Sequence, residues 1–137
     1  MKNILLLVVL FSFAALHAQK SERAYPPQIV TKLKIGQEMT LPEHSLKFIK
    51  VISDGRCPSD VSCIWEGEIK ALIGIYKAQQ LVEEKTMVIK GHGKTVIDKN
   101  LLFKSEDQQI HGYNIIPYPN STDQIAAEDY VLELVVN

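Results

Sequence analysis

Residues 69–76 read IKALIGIY, and their alternation is the clearest indication of the fold. The apolar residues at positions 69, 71, 73 and 75 share one face of an extended chain, whereas Lys70 and Tyr76 fall on the other. Successive side chains of a β-strand point to opposite faces, so this period of two predicts a strand with one buried face.

Similar strand-like runs recur on both sides of this stretch. They occupy residues 29–35, 46–53, 81–90, 94–103, 112–116 and 130–136, with turn signals at Asp54-Gly55 and in GHG (residues 91–93). The period of a helix is nearly absent: only residues 122–129 (TDQIAAED) could form one turn, with Thr122 as its cap. We therefore expect an all-β fold, an antiparallel sandwich or barrel of about seven or eight short strands with at most one short helical turn.

The N-terminus has the layout of a secretory signal peptide. Lys2 precedes an apolar run over residues 4–15, and the small residue Ala18 is a suitable cleavage point. The run is too short to span a bilayer, which takes roughly 20 apolar residues. We expect residues 1–18 to be removed, residues 19–27 to form a flexible lead-in, and residues 28–137 to form a single β domain. No other stretch approaches transmembrane length, so the mature chain is expected in the periplasm or outside the cell, without a membrane span.

Composition and motifs narrow the classes of function. The chain has 15 Lys+Arg against 16 Asp+Glu, a formal net charge of −1, with the two signs interspersed. Without a basic stripe, nucleic acid is not an expected partner. The sequence has no GxSxG elbow, HExxH, P-loop or Gly-rich dinucleotide turn. We therefore expect no cofactor and a protein that is not an enzyme.

Both cysteines and the only tryptophan lie in DGRCPSDVSCIWEG, residues 54–67. Cys57 and Cys63 of an exported protein are expected to form a disulfide. So small a ring removes chain entropy worth on the order of 2 kcal/mol, so the bond fixes the loop rather than the fold. Trp65 is expected to pack over the loop as the chain enters the next strand, and Gly67 is typical of a bulge or a close backbone approach.

Two other chemistries compete for this loop. Reduced Cys57 and Cys63 could bind copper or zinc, with a further ligand from Met39, Met87, His44, His92 or His111, although their spacing is unlike that of structural zinc sites. That spacing also differs from the two intervening residues of dithiol oxidoreductases. A third interpretation is a hydrolase with an unrecognised site. Asp54, Asp60, Glu66 and Glu68 crowd the loop, and paired carboxylates could do acid–base work as in glycosidases, although acids on an exposed loop are more often solvated.

The leading interpretation is a non-enzymatic exported β-sandwich. Its stapled loop, residues 54–67 closed by the disulfide, has either a purely structural role or the role of a binding loop. The candidate binding residues are Asp54, Arg56, Trp65 and Glu66, because Trp and Arg are enriched at binding hot spots. The partner would be an unidentified protein or small-molecule ligand. We favour the structural version, in which Trp65 is buried beneath the disulfide. A buried Arg56 ion pair would exclude Arg56 from a contact surface.

The loop also resembles a known sequence signature. DGRCPSDVSCIWEG is similar to D-S-R-C-P-x-x-V-x-C-x-W-x-G, which is found in a family of small secreted or lipoprotein-type bacterial proteins. The matching residues are Asp54, Arg56, Cys57, Pro58, Val61, Cys63, Trp65 and Gly67, and Gly55 replaces the serine. The signal peptide, ending in His17-Ala18-Gln19, resembles those of Gram-negative bacteria of the Bacteroidetes type. The resemblance implies a periplasmic or extracellular location and no particular activity.

Overall fold

The protein forms two antiparallel four-stranded sheets that share one hydrophobic core. The computed structural model describes residues 30–91, 100–121 and 124–137. The strands are β1 (Val30–Lys34), β2 (Glu38–Thr40), β3 (Ser45–Asp54), β4 (Glu68–Lys77), β5 (Gln80–Lys90), β6 (Leu101–Lys104), β7 (Gln109–Ile116) and β8 (Val131–Val136). One sheet has the order β1-β8-β7-β6 and the other β2-β3-β4-β5. The expected all-β antiparallel fold is confirmed, with eight strands in the described residues.

The core lies between the two sheets and consists almost entirely of alternating strand residues. The apolar face predicted for β4 is buried along its whole length, from Ile69 to Ile75. Leu132 and Leu134 of β8 belong to the same cluster from the opposite sheet. At Gly112 of β7 the two layers come so close that an added Cβ atom would lie 1.9 Å from the sulfur of Met87 in β5.

Some boundaries differ from those expected. Strand β7 begins at Gln109, three residues before the strand expected at 112–116, because the backbone of Gln109 exchanges two hydrogen bonds with that of Asn137. The three-residue strand β2 is not predicted, since it is too short to show a period. The expected helical turn is a 3-10 turn at Ala127–Asp129, preceded by Ala126. Its expected cap, Thr122, and residues 94–99 of the strand expected at 94–103 lie outside the described residues.

The signal peptide (residues 1–18) and lead-in (residues 19–27) expected from the sequence also lie outside the described residues. Within the part of the chain that the structure describes, no helix has the length and apolar character needed to cross a membrane.

The cysteine loop is the connection between β3 and β4, residues 55–67. The connection between β7 and β8, residues 117–130, belongs to the opposite sheet. Hydrogen bonds join the two connections, so the loop is held from both layers of the sandwich.

Candidate binding loop between the third and fourth strands

The base of the loop continues the β3–β4 ladder beyond the ends of the strands. The amide of Gly55 donates to the carbonyl of Glu68 at 2.9 Å, and the amide of Cys57 donates to that of Glu66 at 3.1 Å. Gly67 interrupts the returning chain with φ +71°, and a Cβ atom at this position would lie 1.9 Å from the carbonyl oxygen of Gly55. The close backbone approach expected at Gly67 is therefore present.

Cys57 and Cys63 form the expected disulfide, with their Cα atoms 5.9 Å apart. Because the two sulfurs are bonded to each other, the thiolates required by the copper or zinc interpretation are not present. Among the residues that the structure describes, no group of three or more His, Cys, Asp or Glu side chains could hold a metal ion. Of the other proposed ligands, Met87 and His111 are buried, Met39 packs against the core and His44 contacts Phe103, whereas His92 lies outside the described residues.

Arg56 is the buried anchor of the loop, with only 5% of its surface exposed. Its Nε and Nη2 atoms donate to the two carboxylate oxygens of Asp54 at 2.9 and 2.6 Å. Its Nη1 and Nη2 atoms also donate to the carbonyls of Ile115 at 2.7 Å and Pro117 at 2.9 Å. The guanidinium carbon lies 4.8 Å from the ring centroid of Tyr118, a cation–π contact. Arg56 thus joins the loop of one sheet to the end of β7 in the other.

Asp54 completes this buried network. Besides the Arg56 side chain, its carboxylate accepts the backbone amide of Arg56 at 3.2 Å and the hydroxyl of Tyr130 at 3.1 Å. Burial raises the pKa of Asp54, but the hydrogen bonds and charge of Arg56 and the Tyr130 hydroxyl outweigh it, so its pKa lies below the ordinary 3.8. Burial, with the charge and hydrogen bond of Asp54, raises the pKa of Tyr130 to about 12. The ion pair is therefore charged and Tyr130 is neutral at physiological pH.

Asp54 and Arg56, two of the four candidate binding residues, thus form a structural ion pair in which Arg56 is buried and Asp54 is partly buried. Arginine and aspartate are ordinarily exposed, so the sequence suggested that both side chains belong to a contact surface. The arginine is buried instead because its guanidinium donates to carbonyl groups at the end of β7 and just beyond it, while Asp54 balances its charge.

The tip of the loop is attached to the β7–β8 connection at a second place. The carboxylate of Asp60 accepts the backbone amide of Ser121 at 2.8 Å and also its hydroxyl. The amide of Ser59 donates to the carbonyl of Pro119 at 3.0 Å. The hydrogen bonds from the hydroxyl and amide of Ser121 lower the pKa of Asp60. These contacts attach the disulfide ring to the β7–β8 connection.

Trp65 and Ile64 project from this fixed loop into solvent. Ile64 is 96% exposed and Trp65 is 73% exposed, and Val61 within the disulfide ring is also exposed. The expectation that Trp65 packs over the loop, buried beneath the disulfide, is therefore wrong. Residues 59 to 66 are all exposed, so this part of the loop offers no interior surface for an indole ring to cover.

An open cleft of about 600 Å³ lies beside Trp65 at the base of the loop. It is lined by Ser53, Asp54, Gly55, Trp65, Glu66, Gly67, Glu68 and Lys90. Three of the four acids considered in the sequence come together here, whereas Asp60 is held by Ser121. Ser53 and Lys90 were not anticipated, because the pairing of β4 with β5 brings Lys90 opposite Glu68 from a distant part of the chain. Tyr130 was not anticipated either, because it reaches Asp54 from the β7–β8 connection, 76 positions further along the chain.

No family model, curated protein or solved structure is significantly similar to the chain. The resemblance of residues 54–67 to the bacterial signature stays a prediction.

Proposed function

We propose that this chain is an exported, non-enzymatic binding protein that presents Trp65 and Ile64 on its stapled loop to a partner. The observation that carries this proposal is the exposure of two large apolar side chains on a loop that is itself firmly fixed. Tryptophan is among the residues most enriched at binding hot spots. A soluble domain gains nothing in stability from leaving an indole ring in water.

The attachments of the loop support a binding role because they lower the cost of ordering it on association. The disulfide, the Arg56 network and the Asp60–Ser121 contacts fix the loop at three separate places. Each rotamer-rich side chain or loop immobilised on binding costs free energy, so a loop that is ordered beforehand binds more tightly.

The hydrolase interpretation has less support. An acid–base pair of carboxylates needs one group whose pKa is raised enough to donate a proton near neutral pH. The pKa of Asp54 is lowered instead, and its oxygens are occupied by Arg56 and Tyr130. Glu68 is engaged in an ion pair with Lys70 at 2.9 Å.

Export is supported by the apolar leader and by the disulfide, since structural disulfides persist mainly in oxidising compartments. The resemblance to secreted and lipoprotein-type bacterial proteins agrees with this location. We assign the periplasm or the exterior as the compartment in which the loop meets its partner.

The proposal is tested by photo-crosslinking in cells that export the protein. A benzophenone amino acid replaces Ile64 in one variant and Val82, an exposed residue of β5 away from the loop, in a matched control. We expect a discrete adduct from position 64 and none from position 82. Adding Trp65→Ala to the position-64 variant should abolish the adduct. Equal labelling from both positions, or an adduct that does not depend on Trp65, would contradict the proposal.

A further inference from the structure

The cleft beside Trp65 is lined by one aromatic side chain together with several polar groups. Trp65 is the only aromatic side chain that lines it among the described residues. Ser53 contributes a hydroxyl, Glu66 and Glu68 contribute carboxylates, and Lys90 contributes an ammonium group. Its volume of about 600 Å³ lies within the range of roughly 300–1,000 Å³ that is typical of ligand sites.

The charges around the cleft cancel. Asp54 is neutralised by Arg56, and Glu68 is neutralised by Lys70. Glu66 and Lys90 remain as one negative and one positive side chain, so the sum is zero. The carboxylates would repel an anionic ligand, and the ammonium group of Lys90 would repel a cationic one. The charge balance therefore favours a ligand without net charge.

An uncharged ligand for this cleft must also form hydrogen bonds. A wholly apolar ligand would remove the carboxylates, the hydroxyl and the ammonium group from water without replacing their hydrogen bonds, which is unfavourable. Carboxylates only accept hydrogen bonds and an ammonium group only donates them, so the ligand needs groups that do both. Hydroxyl groups have this property.

A pyranose ring meets all of these requirements. One of its faces carries C–H groups that can stack on an indole ring, and its rim carries hydroxyls that both donate and accept. We propose that the cleft beside Trp65 binds a neutral oligosaccharide, with Trp65 as the stacking platform and Glu66, Glu68, Ser53 and Lys90 as hydrogen-bonding partners of its hydroxyls. This inference rests on the proposed binding function and names the chemical class of the partner.

The sole tryptophan makes the test specific, because all tryptophan fluorescence of the chain comes from this site. The exported, disulfide-bonded protein is titrated with cellohexaose and hexa-N-acetylchitohexaose, both neutral, and with an anionic oligogalacturonate of similar length. At least one neutral hexasaccharide should shift the emission to shorter wavelength, protect Trp65 from acrylamide and give a saturable curve. The oligogalacturonate should bind about tenfold more weakly or not at all.

Calorimetry on variants then distinguishes stacking on Trp65 from non-specific binding to exposed apolar side chains. Trp65→Ala should weaken binding of the neutral hexasaccharide by about tenfold or more, the usual loss for a truncated hot-spot aromatic. Trp65→Phe should retain much of the affinity. The matched control Val82→Ala removes an apolar side chain that is 61% exposed on β5 and does not line the cleft, so its affinity should equal that of the parent protein.

Three results would overturn the sugar assignment: no saturable response to either neutral hexasaccharide at millimolar concentration, unchanged affinity in Trp65→Ala, or tighter binding of the oligogalacturonate. The cross-linking experiment distinguishes this failure from that of the binding function. A Trp65-dependent adduct with a protein, together with no response to sugars, would leave the binding loop intact and remove only the oligosaccharide.

Discussion

Arg56 and Asp54, two positions apart in the chain, form a two-point ion pair whose N–O distances are 2.9 and 2.6 Å. The same guanidinium donates to two carbonyls of the opposite layer, so one side chain both balances a buried charge and joins the two layers. The loop that carries the exposed Trp65 therefore begins at a buried anchor.

Replacing Arg56 with Met should destabilise the protein strongly. The change leaves the Asp54 carboxylate buried without its counter-ion and leaves the carbonyls of Ile115 and Pro117 without this donor. Losing one partner of a buried ion pair costs about 3–5 kcal/mol. The matched control is Lys77→Met, which breaks an exposed pair with Glu43 and should cost far less, because exposed ion pairs contribute little to stability. Urea denaturation measures both, and similar losses in the two variants would refute the role of Arg56 as an anchor.

The Tyr130 hydroxyl predicts a loss of stability in alkaline solution. Its pKa is about 12 in the folded protein, against about 10 in an unfolded chain. The folded state therefore holds this proton more tightly, and the contribution to stability is complete below about pH 10 and is lost as the pH rises through about 12. Thermal unfolding between these values should show a steeper decline for the parent protein than for Tyr130→Phe. Parallel declines would show that Tyr130 does not contribute.

Alanine substitutions at two glycines with positive φ distinguish the energetic cost of the backbone conformation from that of steric overlap. Gly36 has φ +82°, and no atom lies within 4 Å of the place that a Cβ atom would take, so Gly36→Ala should cost about 1–2 kcal/mol from the left-handed conformation alone. Gly67 has φ +71°, but a Cβ atom there would lie 1.9 Å from the Gly55 carbonyl oxygen. Gly67→Ala should therefore cost clearly more, because the base of the loop must also move apart. Equal unfolding free energies for the two variants would contradict the close approach at Gly67.

The β4 strand shows what the sequence could predict. Its alternation from Ile69 to Ile75 depends only on the spacing of neighbouring residues, and these residues are buried as expected. The extension of β7 to Gln109 depends on pairing with Asn137, which no local pattern records. In the site, the Cys57–Cys63 bond could be predicted from the spacing of the cysteines and from the compartment expected for the chain. The burial of Arg56 depends on carbonyls that the opposite sheet supplies, and the exposure of Trp65 depends on how the folded loop is placed, so neither could be predicted from residues 54–67 alone.

Removing the exposed indole ring should leave the fold nearly unchanged. Trp65 is exposed and contributes little to the core, so Trp65→Ala should change the unfolding free energy by no more than about 0.5 kcal/mol, as is usual at the surface. In the parent protein its fluorescence should be readily quenched by acrylamide and emitted at long wavelength. Weak quenching, or a loss of several kcal/mol in the variant, would place the ring in the interior and remove the basis of the proposed binding loop.

The disulfide and the leader are checked together by mass spectrometry of the protein recovered from its own compartment. We expect a chain that begins at Gln19, lacks two hydrogens relative to its reduced form, and reacts with a thiol-alkylating reagent only after reduction. Elemental analysis of the same sample should find no stoichiometric copper or zinc. Free thiols that carry either metal would restore the metal-binding interpretation.

The hydrogen-bonding partners of Arg56 determine which neighbouring positions can be substituted during evolution. On the β7 side it binds the backbone carbonyls of residues 115 and 117, and every amino acid has a carbonyl group. Substitutions at those two positions can therefore leave its hydrogen bonds in place, whereas Asp54 and Arg56 can change only together. In diverging copies of the gene we expect an Asp-x-Arg pair that persists without correlated changes at 115 and 117, beside a tip that is free to acquire new specificities.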